Sequence, residues 1–200
     1  MIVGLTGGIA CGKSTVSAML AQRGAEIVDA DQVAREVVLP GEPALAQITE
    51  LFGQAILNED GTMNRGELGR LVFGNREKLD QLEGILHPAI RSRMWERMNA
   101  SEQKNPGGLI VADIPLLYET GQALLYKKVI VVYIPRELQA ERLMARNGFT
   151  MEQAEQRISL QMDIEEKKKH ADYVIDNSGS LENTETQIEQ LWLELGLSGC

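Results

Sequence analysis

Residues 2–15, IVGLTGGIACGKST, constrain the fold of this chain more than any other stretch. Gly7, Gly12, Lys13 and Ser14 match G-x-x-x-x-G-K-[ST], the pattern of a phosphate-binding loop. Apolar residues before the loop predict a strand, and apolar residues at helical spacing after it predict a helix. A strand, a glycine-rich loop and a helix in this order are typical of a parallel α/β sheet that binds phosphate at one edge.

The residue types in this loop suit the chemistry of a triphosphate. Glycine lets successive backbone N–H groups turn toward phosphate oxygens, and the start of the helix adds its positive end. We expect Lys13 to reach the β- and γ-phosphates and the hydroxyl of Ser14 to ligate Mg²⁺. At Cys11 a small side chain is the favoured requirement, and redox sensing is the alternative.

Charge and cysteine content narrow the class of protein. The 200 residues include 29 acidic and 20 basic side chains, for a net charge of −9, which disfavours nucleic acid and anionic membranes as partners. The longest apolar stretch, residues 129–134, is too short to span a bilayer, and the chain opens on a strand rather than a signal segment. Two cysteines, Cys11 and Cys200, cannot form a disulfide framework. We therefore expect a cytoplasmic protein. We also expect it to be a monomer.

Short apolar runs predict four further strands after the one that precedes the loop. They lie at residues 25–29, 109–113, 128–134 and 173–176. A parallel crossover needs only about a dozen residues, yet more than seventy separate the second strand from the third. A second surplus, residues 135–172, is charged and helical in pattern.

This spacing predicts an α/β fold with three layers, in which helices flank a five-stranded parallel sheet. The two surplus segments make it look like a small-molecule kinase, with one insertion for the acceptor and one over the nucleotide. The predicted divisions are a nucleotide-binding core at 1–31, 104–135 and 171–200, a helical acceptor-binding insertion at 32–103, and a lid at 136–170.

Carboxylates at predicted strand ends are candidates for phosphoryl transfer, which needs a metal and an oriented acceptor. Asp113 ends the third strand and is a candidate Mg²⁺ ligand through water; the alternative is a carboxylate that only accepts from backbone N–H groups. Asp29 and Asp31 end the second strand, and Asp31 is the better candidate for the base. The alternative for Asp31 is an N-cap of a helix that starts near Gln32, and both roles can coexist.

The second insertion offers cations for the moving phosphate. Arg142 and Arg146 lie at i, i+4 on one helix face, and we favour a functional role for Arg142 at the γ-phosphate. For the lysine run 167–169 we favour a solvated, salt-bridged helix, because glutamates are interleaved. Asn177 follows the last strand, where it either contacts adenine or forms a simple turn.

Acceptor contacts are expected from two short segments. His87 precedes Pro88, which we expect to end a helix; His87 is either a residue of that helix end or an acceptor contact. Leu116 and Leu117 are either core residues or acceptor contacts, whereas Glu119 favours the acceptor. The sequence has no Cys/His cluster, so zinc is unsupported.

Together these motifs resemble the dephospho-CoA kinase family over nearly the whole chain. The segments with this resemblance are LTGGIACGKST, VDADQVAREVV, PGEPAL, LHP, DIPLLYE and ADYVIDNSG. The loop alone indicates a nucleoside triphosphate, and the other segments are more specific. The resemblance implies a P-loop kinase that transfers the γ-phosphate of its co-substrate ATP to the 3′-hydroxyl of the ribose of dephospho-CoA, the last step of coenzyme A synthesis.

The resemblance also implies roles for individual residues. Catalytic roles fall to Lys13, Asp31 and Arg142. ATP contacts fall to Gly8, Ala10, Cys11, Gly12, Lys13, Ser14, Thr15, Arg146 and Asn177. Acceptor contacts fall to Thr6, Asp31, His87, Leu116, Leu117 and Glu119. Ser14 and Asp113 would hold Mg²⁺. The chain departs from the family at Val28, where isoleucine is frequent, and at Cys11, where glycine or serine is usual; neither change threatens the roles.

Two rival functions remain open. One is a kinase on the same core that phosphorylates another nucleotide or small alcohol, which activity on AMP or shikimate would reveal. The other is a regulatory GTPase. The chain has D-x-x-G at residues 176–179, but after the last strand rather than the third, and it has no N-K-x-D segment for guanine.

Overall fold

A five-stranded parallel sheet forms the centre of the fold, in the order β2-β3-β1-β4-β5. The structure, a computed structural model, describes residues 1–197. The strands are β1 Ile2–Gly7, β2 Glu26–Asp29, β3 Ile110–Asp113, β4 Val129–Tyr133 and β5 Tyr173–Asp176. The predicted parallel sheet of five strands is confirmed. Cys200 lies outside the described residues.

The apolar character of the central strands explains why they lie inside. Every residue of β3 and β4 is buried, as expected for strands that are covered by helices on both faces. In the register of β1 with β3, Leu5 lies opposite Asp113, and the N–H of Ile114 donates to the carbonyl of Leu5 at 2.9 Å. The loops that follow β1 and β3 therefore leave the sheet side by side.

Residues 1–197 form nine α-helices. They are α1 Lys13–Gln22, α2 Ala30–Glu36, α3 Pro43–Phe52, α4 Arg65–Val72, α5 Arg76–Lys104, α6 Arg136–Asn147, α7 Met151–Ile158, α8 Ile164–Lys169 and α9 Leu181–Glu194. Within this described part of the chain, no helix is both long and apolar enough to cross a bilayer.

The chain forms two compact units. The first comprises residues 1–28 and the described residues from 100 onward, so it contains β1, the phosphate-binding loop and α6 to α8. The second comprises residues 29–99, with α2 to α4 and most of α5. Surface ion pairs join helices inside the second unit: Arg93 pairs with Glu42 at 2.9 Å, and Arg97 pairs with Glu36.

The start of α2 corrects the prediction for Asp31. The helix begins at Ala30, and Asp29 is its N-cap: one carboxylate oxygen of Asp29 accepts from the backbone N–H of Asp31 at 2.7 Å and of Gln32 at 3.1 Å. The alternative of Asp31 as the N-cap is therefore wrong. The extended backbone of Asp29 turns its side chain onto these first N–H groups, which leaves the carboxylate of Asp31 free of a capping role.

Helix α5 corrects the prediction of a helix end at Pro88. The helix continues through Pro88 to Lys104, so the expected end is wrong. A proline removes one backbone hydrogen bond from a helix. Here the helix is also held by buried side chains on both sides of the proline, namely Leu82, Met94 and Met98. Tertiary packing outweighs the local preference.

Candidate active site

The phosphate-binding loop joins the carboxyl end of β1 to the start of α1. Gly12 has a φ of 80° and immediately precedes α1, and Ala10 has a φ of 62°. Both residues lie in the left-handed region, which glycine adopts freely and alanine rarely does. Two left-handed residues bend the loop sharply within three positions, so its backbone N–H groups can converge on an anion.

Close approach by side chains explains why glycine stands at two positions of the loop. A Cβ on Gly8 would collide with the side-chain amide of Gln139, and one on Gly12 would collide with the amide of Asn177. Gln139 lies on α6, and Asn177 follows β5. A Cβ at either position would displace an amide that holds the loop, and at Gly12 the positive φ favours glycine as well.

Two glutamines hold the peptide groups of Ile9. The N–H of Ile9 donates to Gln161 Oε1 at 2.8 Å, and Gln139 Nε2 donates to the carbonyl of Ile9 at 2.9 Å. Gln139 Nε2 also lies 3.3 Å from Cys11 Sγ. Both glutamines belong to the segment predicted as a lid. Neither glutamine is predicted from the sequence, because a glutamine in a charged helical segment matches no functional motif.

Asn177 fixes the other side of the loop. Its Nδ2 donates to the carbonyl of Cys11 at 2.8 Å, and its Oδ1 accepts from Thr184 Oγ1 at 2.9 Å. Its backbone carbonyl accepts from Arg142 Nη2 at 2.9 Å. A simple turn does not account for these contacts. Asn177 is buried and braces the phosphate-binding loop, and an adenine contact through it stays a prediction.

The end of β3 brings a carboxylate to the loop. Asp113 is 3 % exposed; Ser17 Oγ donates to its Oδ2 at 2.6 Å, and Lys13 Nζ contacts its Oδ1. Its described partners are side chains, so the alternative of a carboxylate that only accepts from backbone N–H groups is wrong. Ser17 lies four residues after Lys13 and therefore on the same face of α1, which is the signal that could have identified it.

The oxygen groups beside the loop fit a magnesium ion. Ser14 and Thr15 carry hydroxyls on the first turn of α1, and Asp113 supplies a carboxylate. Among residues 1–197 no three His, Cys, Asp or Glu side chains form a metal-binding group. Mg²⁺ in kinases binds through one or two protein oxygens, substrate phosphates and water, so it does not need such a cage.

Cys11 is fully buried, and burial raises the pKa of its thiol above the ordinary value. A raised pKa keeps the thiol protonated at neutral pH, and the thiol is much less reactive than the thiolate. The environment of Cys11 therefore favours the interpretation of a small packing residue over that of a redox sensor.

The two arginines of α6 differ in their surroundings. Arg142 is half-buried and bonded to the carbonyl of Asn177, beside the loop. Arg146 is exposed, and its Nε donates to Asn147 Oδ1 at 2.9 Å. Although the two arginines share a helix face, Arg142 is held beside the loop and Arg146 is exposed.

The loop after β3 is attached to β1. Thr6 Oγ1 donates to the carbonyl of Pro115 at 2.9 Å. Leu117 is fully buried, whereas Leu116 is 41 % exposed. Glu119 Oε1 accepts from the N–H of Met162 at 2.9 Å. Leu117 thus serves as a core residue, and contacts of Leu116 and Glu119 with an acceptor stay predictions.

The lysine run on α8 is only partly solvated. Lys169 pairs with Glu166 at 2.5 Å on the surface, as predicted. Lys167 is fully buried and pairs with Glu119 at 2.9 Å, so the prediction of a solvated lysine is wrong at this position. The buried Ile164 lies one turn earlier, and this face of α8 turns Lys167 inward.

The second unit carries the remaining candidates. Asp31 is exposed on α2, and His87 is exposed on α5, where its carbonyl accepts from Arg91 Nε at 3.3 Å. Neither side chain is buried within its own unit.

The central strand, its phosphate-binding loop and the carboxylate on the neighbouring strand define a P-loop phosphotransferase. A family model described as dephospho-CoA kinase matches residues 1–183, and the chain belongs to this family. The predicted resemblance is confirmed.

Relatives match over nearly the full length of the chain. Dephospho-CoA kinase from Carboxydothermus hydrogenoformans is 51 % identical, over 94 % of this chain and 90 % of the relative. The protein of the same name from Bacillus licheniformis is 50 % identical, over 96 % and 94 %. The solved structure of dephospho-CoA kinase from Campylobacter jejuni is 33 % identical and has a TM-score of 0.75, over 97 % of this chain and 96 % of that one.

Proposed function

We propose that this protein transfers the γ-phosphate of ATP to the 3′-hydroxyl of the ribose of dephospho-CoA, giving coenzyme A and ADP. The observation that carries the proposal is the full-length similarity to dephospho-CoA kinases, at up to 51 % identity in the relatives named above. This similarity includes both the phosphate-binding loop and the segments predicted to hold the acceptor.

The first unit supplies the groups for ATP. Backbone N–H groups of residues 10–15 hold the phosphates, with Gly8 giving room for Gln139 behind them. Lys13 places a positive charge where negative charge grows in the transition state. Arg142 adds a second cation from residues 136–170, which act as the lid; Arg146 and Asn177 lie near the nucleotide. This arrangement is supported by the contacts of Asn177 with Cys11 and Arg142.

Ser14 and Asp113 would hold Mg²⁺, Asp113 through water. When bound, the ion neutralises charge on the phosphate oxygens. The contacts of Asp113 with Lys13 and Ser17 keep its carboxylate turned toward the loop. The oxygen character of these side chains supports the assignment.

Contacts with the acceptor are proposed in the insertion, residues 32–103, and in the loop after β3. Asp31 accepts the proton of the attacking hydroxyl, which its exposed carboxylate and lack of a capping role support. His87, Leu116 and Glu119 are the proposed acceptor contacts. Thr6 and Leu117, which the sequence also suggested, are fully buried and are proposed to shape the site from within. The use of ATP supports a cytoplasmic location, and we expect the protein to act as a monomer.

Release of ADP, measured by a coupled assay with dephospho-CoA as sole acceptor, tests the proposal. We expect turnover with dephospho-CoA and none with AMP or shikimate. The reverse pattern would support the rival kinase. In the same assay, GTP should not support turnover when it replaces ATP. This result would exclude specificity for guanine nucleotides. Chelation of Mg²⁺ is expected to abolish turnover and excess Mg²⁺ to restore it.

A further inference from the structure

Lys167 is the buried cation of the first unit. No other lysine or arginine among the described residues is buried, and the side chain of Lys167 has an exposed fraction of 0 %. A lysine is rarely buried without partners, because removing an ammonium from water is costly. The burial of Lys167 therefore needs an explanation different from that of the exposed lysines on α8.

The ammonium of Lys167 has three acceptors. Its Nζ donates to the carbonyl of Gly7 at 3.2 Å and to the carbonyl of Pro115 at 3.2 Å. It also pairs with Glu119 Oε1 at 2.9 Å. Three acceptors match the three N–H groups of an ammonium, so the charge is fully compensated inside the protein.

These acceptors lie at the two places where the site must be aligned. Gly7 is the last residue of β1 and the first glycine of the phosphate-binding motif. Pro115 lies two residues after Asp113, at the end of the neighbouring strand. One cation thus joins the backbone at the start of the phosphate-binding loop to the backbone that follows the carboxylate.

The segment before α8 adds two more hydrogen bonds to the same two loops. Gln161 accepts from the N–H of Ile9 at 2.8 Å, and the N–H of Met162 donates to Glu119 at 2.9 Å. The two loops are therefore attached to one short stretch of chain, residues 161–167, with the ammonium of Lys167 at its end.

We propose that Lys167 is a positioning residue for phosphoryl transfer. It holds the carbonyls of Gly7 and Pro115 together, and thereby sets the position of Lys13 and Asp113 relative to the reacting phosphate. It does not touch the substrate. The inference rests on the proposed function, because it concerns the alignment of that same site.

Lys167→Met tests this role, because methionine keeps much of the apolar length and removes the charge. We expect kcat to fall about 10- to 100-fold, the loss that a shift of about 1 Å in a reacting group produces. The affinity for ADP should stay within about threefold of the wild-type value, because a residue that aligns the reacting groups affects the transition state and not the binding of the nucleotide. Lys168→Met is the matched control: Lys168 is exposed and lies 3.9 Å from the ring centroid of Tyr133, so kcat should not change.

A purely structural role predicts a different result. It would lower the folded fraction and leave kcat per folded molecule unchanged, so circular dichroism and urea unfolding accompany each assay. Binding of ADP with aluminium fluoride and dephospho-CoA gives a second readout, because this mimic of the transition state should lose affinity in parallel with kcat. Wild-type kcat in folded Lys167→Met, or loss of ADP and mimic affinity by the same factor, would overturn the proposal.

Lys167→Arg covers the case in which the methionine variant does not fold. Arginine keeps a charged donor but is longer, so it cannot occupy the same point between the two carbonyls. We expect a folded protein with kcat reduced at least about fivefold and ADP affinity unchanged; wild-type kcat would contradict the role. If the wild-type protein does not turn over dephospho-CoA, the proposed function is overturned but the role of Lys167 is not. Binding of ADP with aluminium fluoride in the absence of dephospho-CoA, compared between wild type and the Lys167 variants, would then decide that role.

Discussion

The interiors of the two units are built from different kinds of side chain. All buried polar or charged side chains that the structure describes lie in the first unit. They are Thr6, Ser17, Asp113, Gln139, Lys167, Asn177 and Thr184. In residues 29–99 the buried side chains are apolar. Among them are Val33, Leu45, Ile48, Ile56, Leu82, Met94 and Met98.

The first unit therefore has polar groups held in place in its interior, whereas the interior of the second unit is apolar and stabilises it by packing. Buried polar groups cost free energy unless they are hydrogen-bonded, so the bonds that these side chains make admit few alternative arrangements. An apolar core tolerates changes of side chain if volume is kept. Chemistry in the second unit is therefore expected at its surface, where Asp31 and His87 lie.

The largest effect is expected from the cation of the phosphate-binding loop. Lys13→Ala should lower kcat about 10³-fold, or about 4 kcal/mol, because it removes a charge that stabilises the transition state. It also leaves Asp113 with Ser17 as its remaining side-chain partner. Initial rates of ADP release at saturating ATP measure the effect, and a loss under tenfold would contradict the role of Lys13.

In the apolar interior the effect should be on stability instead. Met98→Ala removes a fully buried side chain from the second unit and should lower the free energy of unfolding by about 3 kcal/mol. Met98→Leu, which keeps the volume, should cost less than about 1.5 kcal/mol. Urea unfolding measures both. A large kcat change in folded Met98→Leu would show that this core is also position-sensitive and would break the comparison.

At the surface of the second unit we expect an effect on catalysis without one on ATP binding. Asp31→Asn should lower kcat about 10²-fold, because the amide cannot accept the proton. Asp29→Asn is the matched control, since asparagine caps a helix as well as aspartate does. Steady-state kinetics with both substrates distinguish the two carboxylates: a loss with Asp29→Asn alone would move the base to that residue.

The smallest effect is expected at a surface pair of the first unit. Lys128 Nζ donates to Asp172 Oδ1 at 2.9 Å, and this bond lowers the pKa of Asp172. Because the pKa of Asp172 is lower in the folded protein than in the unfolded chain, the ionised carboxylate stabilises the fold at pH values above the unfolded pKa of about 3.9. This stabilisation is lost as the pH falls through the pKa of the folded state. Asp172→Asn should therefore lower Tm by about 1–2 °C at pH 7. The difference should vanish in thermal melts well below pH 4; a difference that persists there would contradict the ionic origin.

Local patterns were sufficient to predict the sheet and the loop. The central strands are continuous apolar runs, and the loop has a fixed spacing of glycine, lysine and serine, so neither depends on distant residues. The N-cap of α2 and the path of α5 through Pro88 were not predicted correctly. In both cases the decision depends on backbone geometry or packing that single residue types do not reveal.

The burial of Lys167 could not be predicted for a related reason. Its three acceptors, Gly7, Pro115 and Glu119, lie 160, 52 and 48 positions away in the chain. The same holds for Gln139 and Gln161, which reach the loop from the lid segment. Sequence motifs identify groups that meet the substrate, whereas the groups that hold them are identified by the fold.

The left-handed backbone of Ala10 has a thermodynamic consequence for nucleotide binding. For an L-residue this conformation costs about 1–2 kcal/mol, and in this fold Ala10 adopts it. The hydrogen bonds of Gln139 to the carbonyl of Ile9 and of Asn177 to the carbonyl of Cys11 hold the loop in this bent form and offset the strain. When the loop is preorganised, less of the interaction energy with a triphosphate is spent on ordering the loop, and more appears as affinity. Ala10→Gly measures this contribution, because glycine removes the strain but gives the loop more conformational freedom before binding.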